Sequence, residues 1–166
     1  MRVILIIFLL TISIQSWTKA DDISDFEIEG ISVGDSALNF FSEKDIKKNS
    51  RDHYRDKTFT PVQNDKYPFF KIYDAVDFNF RTGDKGYIFQ SISGVLYFDK
   101  DIRDCYDKMD TLILDIKKKI KFTKHHSKQE FKHRSDKSGK SKFTETRFDL
   151  KNGYIGIICY DYSEEQ

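Results

Sequence analysis

Only two cysteines, two prolines and one tryptophan occur among the 166 residues. Two cysteines exclude a scaffold stapled by many bridges and leave room for one disulfide in an oxidising compartment. Both prolines, Pro61 and Pro68, fall within residues 47–68. That polar stretch is predicted to be a long surface connection, with a short extended piece over residues 58–62. Leucine and alanine are scarce, so the bulk for a core comes from isoleucine and from 15 Phe and 9 Tyr. Beyond residue 12 no apolar run is long enough to cross a bilayer. No cysteine directly follows the first apolar run, which argues against a lipid anchor.

The N-terminus has a basic start, Met1-Arg2, then an apolar run over residues 3–12, and small residues around Thr18-Lys19-Ala20. This pattern predicts a signal peptide over residues 1–20, cleaved after Ala20, and an exported protein, periplasmic or secreted. Residues 21–166 then form a single α+β domain. Without Arg2 and Lys19 the basic residues number 26 against 27 acidic, so net charge points to no partner.

The most regular stretch is residues 101–120. Ile102, Cys105, Tyr106, Met109, Ile113 and Ile116 recur in steps of three and four, one stripe of a helix. Asp99 or Asp101 can cap its start, and Lys117, Lys118 and Lys119 suit its negative end. Such a helix needs an apolar sheet beneath it. Upstream, Phe26, Ile28 and Ile31 suggest a short edge strand. Asp35 is expected to cap a brief helix over residues 37–41, and Ser42 with Asp45 has capping-box spacing for a second.

Val76, Phe78 and Phe80 alternate with polar residues, and a return strand is expected over residues 87–98 with a bulge at Gly94. Residues 121–142, rich in lysine, read as mostly loop. Thr144, Thr146, Phe148 and Leu150 alternate again, and Asn152-Gly153 marks a turn into a last strand over residues 154–162. No internal repeat or linker is evident. The expected architecture is an antiparallel sheet of four to five strands, one long amphipathic helix packed across it, and short N-terminal helices.

Cys105 lies on the apolar stripe of the helix, and Cys159 shares a strand face with Ile155 and Ile157. Two buried thiols facing each other in an exported protein predict a Cys105–Cys159 disulfide. Tyr154, Tyr160 and Tyr162 occupy the opposite face of that strand. The expectation is contact with the N-terminal helices; the alternative is a binding surface, since tyrosine joins apolar area to a polar tip.

Sites for catalysis are sparse. Gly34-Asp35-Ser36 resembles the nucleophile block of GDSL-type esterases, but the family's Gly-x-Asn-Asp and Asp-x-x-His blocks are missing. Without a base the hydroxyl is a weak nucleophile, so a turn and helix cap is the preferred reading and a small hydrolase using Ser36 the alternative. Ser138-Gly139-Lys140-Ser141 lacks the earlier glycine of a P-loop, Arg134 standing in its place. His53, His125, His126 and His133 lack a carboxylate or thiolate at ligand spacing and read as solvated loop histidines. No cofactor or metal is expected.

Two longer strings carry a resemblance. Gly30-Ile31-Ser32-Val33-Gly34-Asp35-Ser36 stands ahead of Phe40-Phe41-Ser42, and Lys137-Ser138-Gly139-Lys140-Ser141 leads to Tyr160-Asp161-Tyr162. In these the chain resembles small uncharacterised exported proteins of marine bacteria. The opening is also similar to that of BamE-type envelope lipoproteins, in which an Ile-x-x-Gly turn precedes two short helices and a small sheet; the lipidated cysteine of that family is missing here. Neither resemblance implies a catalytic residue.

Residues 117–142 hold eleven lysines and arginines against Glu130 and Asp136. In an otherwise acidic chain this makes a strong dipole, and the basic end attracts anionic surfaces. The expectation is a non-enzymatic binding or adaptor protein of the periplasm or envelope. It would engage an anionic envelope surface or acidic protein, rather than nucleic acid, through Lys124, Lys128, Lys132 and Arg134. A structural envelope component in the BamE manner is a further alternative. The plainer reading is a solvated loop whose lysines lean on the domain's own carboxylates.

Overall fold

The computed structural model describes residues 22–51, 57–65, 70–98, 101–134 and 136–163. The expected signal peptide, Asp99 and His53 lie outside them. The chain opens with a 3-10 turn, Ile23–Asp25, followed by β1 (Glu27–Ile28) and β2 (Ile31–Ser32). A second 3-10 turn, Ala37–Asn39, leads to α1 (Glu43–Asn49), β3 (Phe59–Asp65), β4 (Ala75–Arg81) and β5 (Ser91–Val95). Then come α2 (Ile102–Lys119), β6 (Lys124–Lys132), β7 (Lys142–Asp149) and β8 (Tyr154–Asp161). No helix among the described residues is long and apolar enough to cross a membrane.

The fold is α+β, but the expected single sheet is not formed. Three separate antiparallel sheets replace it, β1-β2, β3-β4-β5 and β6-β7-β8. The reason lies in residues 121–142, which hold a nine-residue strand within the expected loop. Their lysines alternate with Phe131 and other residues of a strand, β6, which pairs with β7. With β6 on one edge and β8 on the other, β7 has no hydrogen bonds left for the earlier strands. Each three-stranded meander follows its own helix, α1 before β3 and α2 before β6, an element order repeated without any repeat in sequence.

The core divides accordingly. One cluster gathers Ile31, Phe41, Ile46, Val62, Phe78 and Phe89; the other gathers Met109, Ile113, Ile116, Phe148, Ile155 and Cys159. The alternation of β4 holds, with Val76, Phe78 and Phe80 buried. That of β7 holds as well, with Thr144, Thr146 and Phe148 buried. The main helix carries its stripe as expected, burying Met109, Ile113 and Ile116, and Asp101 caps it by accepting from the Arg103 N–H. Its 18 residues span about 27 Å. The disulfide joins α2 to β8, Cys105 to Cys159, with Cα atoms 5.9 Å apart.

Several local expectations give way to sharper chemistry. Phe26, Ile28 and Ile31 do not make one edge strand: β1 and β2 form a tight hairpin, with Ile28 opposite Ile31 and a two-residue loop, Glu29-Gly30. Both loop residues have positive φ, 53° and 76°, as a type I′ turn requires. Ser36, not Asp35, caps the second 3-10 turn, while Asp35 accepts from the Ser32 N–H. Gly94 is no bulge, since β4 and β5 pair without a shift from Ala75 to Asn79. A Cβ there would stand 2.5 Å from the Tyr73 ring, so glycine is needed for close approach.

Glu29 explains why a non-glycine residue holds a left-handed position. Its Oε1 accepts from the N–H groups of Lys71, Ile72 and Tyr73 at 2.9, 2.6 and 3.0 Å. Desolvation opposes ionisation, but these three amide bonds prevail and hold the carboxyl below its ordinary value. The sign follows: the stabilisation is complete above the ordinary 4.5 and is lost as pH falls through the lower folded value. Glu29→Ala is expected to speed hydrogen exchange at the Lys71, Ile72 and Tyr73 amides while β4 stays protected. Unchanged exchange at those three amides would contradict this anchoring role.

Candidate functional site

The alternation that buries Thr144, Thr146 and Phe148 under α2 turns Phe143, Glu145, Arg147 and Asp149 to the other side of the sheet. On β8 their partners are Tyr160, Ile158, Gly156 and Tyr154, and on β6 they are Phe131, Gln129, His126 and Lys124. This second face is exposed. Tyr154 is 54%, Ile158 38% and Tyr160 47% accessible.

The tyrosines are therefore half exposed rather than buried against the N-terminal helices. The N-terminal residues Ile23 and Phe26 pack instead against the α2 side of the sheet, and Ile23 lies against Gly153. That side is thus doubly covered and the tyrosine side left open.

At one end of the open face the aromatic side chains form a continuous group. Phe131 stacks on Phe143 at 5.1 Å between ring centroids, Phe143 lies 5.7 Å from Tyr160, and Tyr160 stacks on Tyr162 at 5.7 Å. His133 packs edge-on against both tyrosines, at 5.9 and 5.3 Å, and its Nδ1 is buried without a hydrogen-bond partner among the described residues. The turn that closes β6 to β7 begins here, with the His133 N–H donating to the Ser141 carbonyl.

Toward the other end the face is polar. His126 Nε2 lies 3.0 Å from Asp149 Oδ2, and Arg147 Nε donates to Asp149 Oδ1 at 2.7 Å. These bonds, His126 first and then Arg147, hold the Asp149 carboxyl below the usual range. The Arg147 guanidinium also sits 4.1 Å over the Tyr154 ring. Along the β6–β7 half of this face runs a depression of about 380 Å³, lined by Lys124, His126, Gln129, Phe131, Glu145 and Arg147 among others. A register shift between His126 and Gln129 brings Ser127 to its wall as well.

The four cations singled out from the sequence do not converge. Lys124 is exposed on the open face, opposite Asp149. Lys132 and Arg134 are exposed at the far end of β6, roughly 20 Å along the strands from Lys124, and Lys132, out of phase with Phe131, lies on the α2 side of the sheet. Lys128 turns to the helix side, its Nζ 2.8 Å from Asp110 Oδ1 and 5.8 Å from the Tyr106 ring. For Lys128 the plainer reading holds. Lys137 is exposed in the same β6–β7 turn as Arg134, and among the described residues the ion pairs at this end are those of Lys128 and Lys142.

The described histidines, His125, His126 and His133, are not solvated loop residues. His125 stacks on Phe148 at 4.3 Å and bonds Thr146, His126 meets Asp149, and His133 sits among the tyrosines. Among the described residues no three of His, Cys, Asp and Glu are grouped to hold a metal. Ser36 Oγ donates to the Gly86 carbonyl at 2.6 Å and accepts from the Leu38 N–H, so the backbone occupies both roles of the hydroxyl.

Phe131, Phe143, Glu145 and Arg147 do not stand out in the sequence, because the apolar phase of β7 and the lysines of β6 are the stronger patterns there. The signal was present as the opposite phase of the same alternation. No family model, no curated protein and no solved structure matches the chain, so the functional reading rests on this surface alone.

Proposed function

We propose that the chain is a non-enzymatic exported binding or adaptor protein of the periplasm or envelope. Its recognition surface is the open face of the C-terminal sheet, and the exposed Lys132, Arg134 and Lys137 around the β6–β7 turn attract an anionic partner. The observation that carries this is the exposed, contiguous aromatic group on a sheet face that no described element covers. Monomeric proteins seldom leave such a patch open unless it binds something, and tyrosine is enriched where they do. The N-terminal basic and apolar segment supports export, as does a disulfide between α2 and β8.

Retention on a sulfated-polysaccharide resin tests the reading. Wild type is expected to elute later than the triple variant Lys132→Gln, Arg134→Gln, Lys137→Gln at low salt. The difference should shrink as salt shortens screening to about 8 Å near physiological ionic strength. Lys128→Gln is expected to elute with wild type, because that charge is already paired with Asp110. Co-elution of wild type and the triple variant at low salt would overturn the proposal.

A further inference from the structure

We infer that β8 is the contact edge of a homodimer, in which two copies pair this strand antiparallel about a two-fold axis at Ile157. The first observation is how the sheet edges are guarded. β6 carries Lys124, Lys128 and Lys132 and a register shift between His126 and Gln129. β3 carries Pro61 and is bridged at Val62 by Ser50, and β5 has only five residues. Charge, proline, irregularity and shortness all discourage pairing with another chain. β8 has none of these guards. Its residues Tyr154–Asp161 include no lysine, arginine or proline, pair β7 without a shift, and hold one charge, Asp161, at the end. No described strand pairs with its other side.

The backbone fixes the register. The Leu150 N–H donates to the Gly153 carbonyl, and the Asp149 carbonyl accepts from Thr123 on the β6 side. Alternation from these points turns the amides and carbonyls of Tyr154, Gly156, Ile158 and Tyr160 away from β7. A two-fold at Ile157 sets Gly156 opposite Ile158 and Tyr154 opposite Tyr160, so that outward groups meet outward groups. All four residues stay on the open face, as strand alternation requires. Asp161 then meets Gly153, and no like charges oppose each other.

Gly156 identifies the occupant as a second copy. Every other described glycine has a reason within the chain, either a positive φ or a Cβ contact no longer than 3.3 Å. At Gly156 φ lies outside the left-handed region, and a Cβ would meet its nearest neighbour, Glu145 Oε1, at 3.5 Å. Glycine weakens a strand, and one without a local cause marks the close approach of another group. In the two-fold register that group is the Ile158 side chain of the other copy, and each copy gives the other the same fit. The Cys105–Cys159 bond pins β8 to α2, so the edge is held in place before association. The β8 flank of α2, opposite Asp110, carries both signs of charge, Lys108 and Lys119 with Asp104 and Asp115, so two such flanks are not repelled. The joined sheet ends at two guarded β6 edges, and pairing stops at two chains.

Sedimentation velocity of the purified protein at rising concentration tests this. Wild type is expected to shift toward twice the chain mass, with hydrogen exchange at the Gly156 and Ile158 amides slowing in step. Ile158→Pro removes an outward N–H and leaves the β7 ladder intact, a change that an edge strand tolerates. It is expected to weaken association at least about thirtyfold, because two-fold symmetry removes two donors at once. Gly156→Lys, at a position where the single chain has room for a Cβ, is expected to do the same, and it decides the matter if the proline variant fails to fold. Both variants should keep the circular dichroism of wild type. A wild-type protein that stays monomeric would overturn the proposal, including one whose β8 takes up an added strand peptide instead. A dimer that both variants leave intact would overturn it too, as would a wild-type dimer whose exchange at Gly156 and Ile158 does not change with concentration.

Discussion

Removing the Cys105–Cys159 bond is expected to lower stability by about 4 kcal/mol, the loop-entropy value for cysteines 54 positions apart. At two to four degrees per kcal/mol this corresponds to a fall in melting temperature of roughly 8–16 °C. The bond ties α2 to β8, and Cys159 is only 1% exposed within the C-terminal cluster. Its loss should therefore loosen that cluster first. The comparison is a thermal melt of wild type with and without reductant, beside the Cys105→Ala, Cys159→Ala double variant, which reports the change without added thiol. Coincident melts, or two free thiols found by mass spectrometry of the untreated protein, would contradict the bond's role.

Phe78→Ala is expected to cost about 3–5 kcal/mol, the usual range for emptying a buried phenylalanine site. Phe78 is 2% exposed, stacks on Phe41 at 5.4 Å and meets Phe89 edge-on at 4.8 Å. Val62 and Ile92 oppose it on the neighbouring strands, so no single side chain can fill the gap by rotating inward. The two core clusters share no member. Urea unfolding should thus show an early loss of the N-terminal cluster, with hydrogen exchange accelerated in β3, β4 and β5 before β7 and β8. Uniform acceleration across both sheets would mean the clusters unfold as one unit.

Elements with a strong period were legible in the sequence. The stripe of Ile102 to Ile116 placed α2 correctly, and the alternations at Val76 to Phe80 and Thr144 to Phe148 placed β4 and β7. The disulfide followed from two apolar faces that had to meet. Pairing between elements was less legible. The strand β6 is concealed by its lysines, which are compatible with a strand lying at the edge of a sheet and exposed along most of its length. With β6 missed, β7 needs a partner from the N-terminal half, and one large sheet is expected where three small ones form.

The site was half legible for the same reason. The tyrosine alternation on β8 showed that a second face existed, but which face the N-terminus covers depends on Ile23 meeting Gly153, a contact between distant residues. The lysine run points to charge, yet Lys128 is spent on Asp110, and strand alternation sends Lys132 to that same side of the sheet, away from Phe131.

The central claim is that the open face of the C-terminal sheet is the recognition surface. Amide chemical-shift mapping during titration with a sulfated oligosaccharide tests it most directly. The account predicts that shifts concentrate at Phe131, Phe143, Glu145, Tyr160 and Tyr162, with smaller changes at Arg147. Shifts confined to the lysines at the end of α2, Lys117 to Lys119, with the open face unmoved, would show charge attraction alone and contradict it.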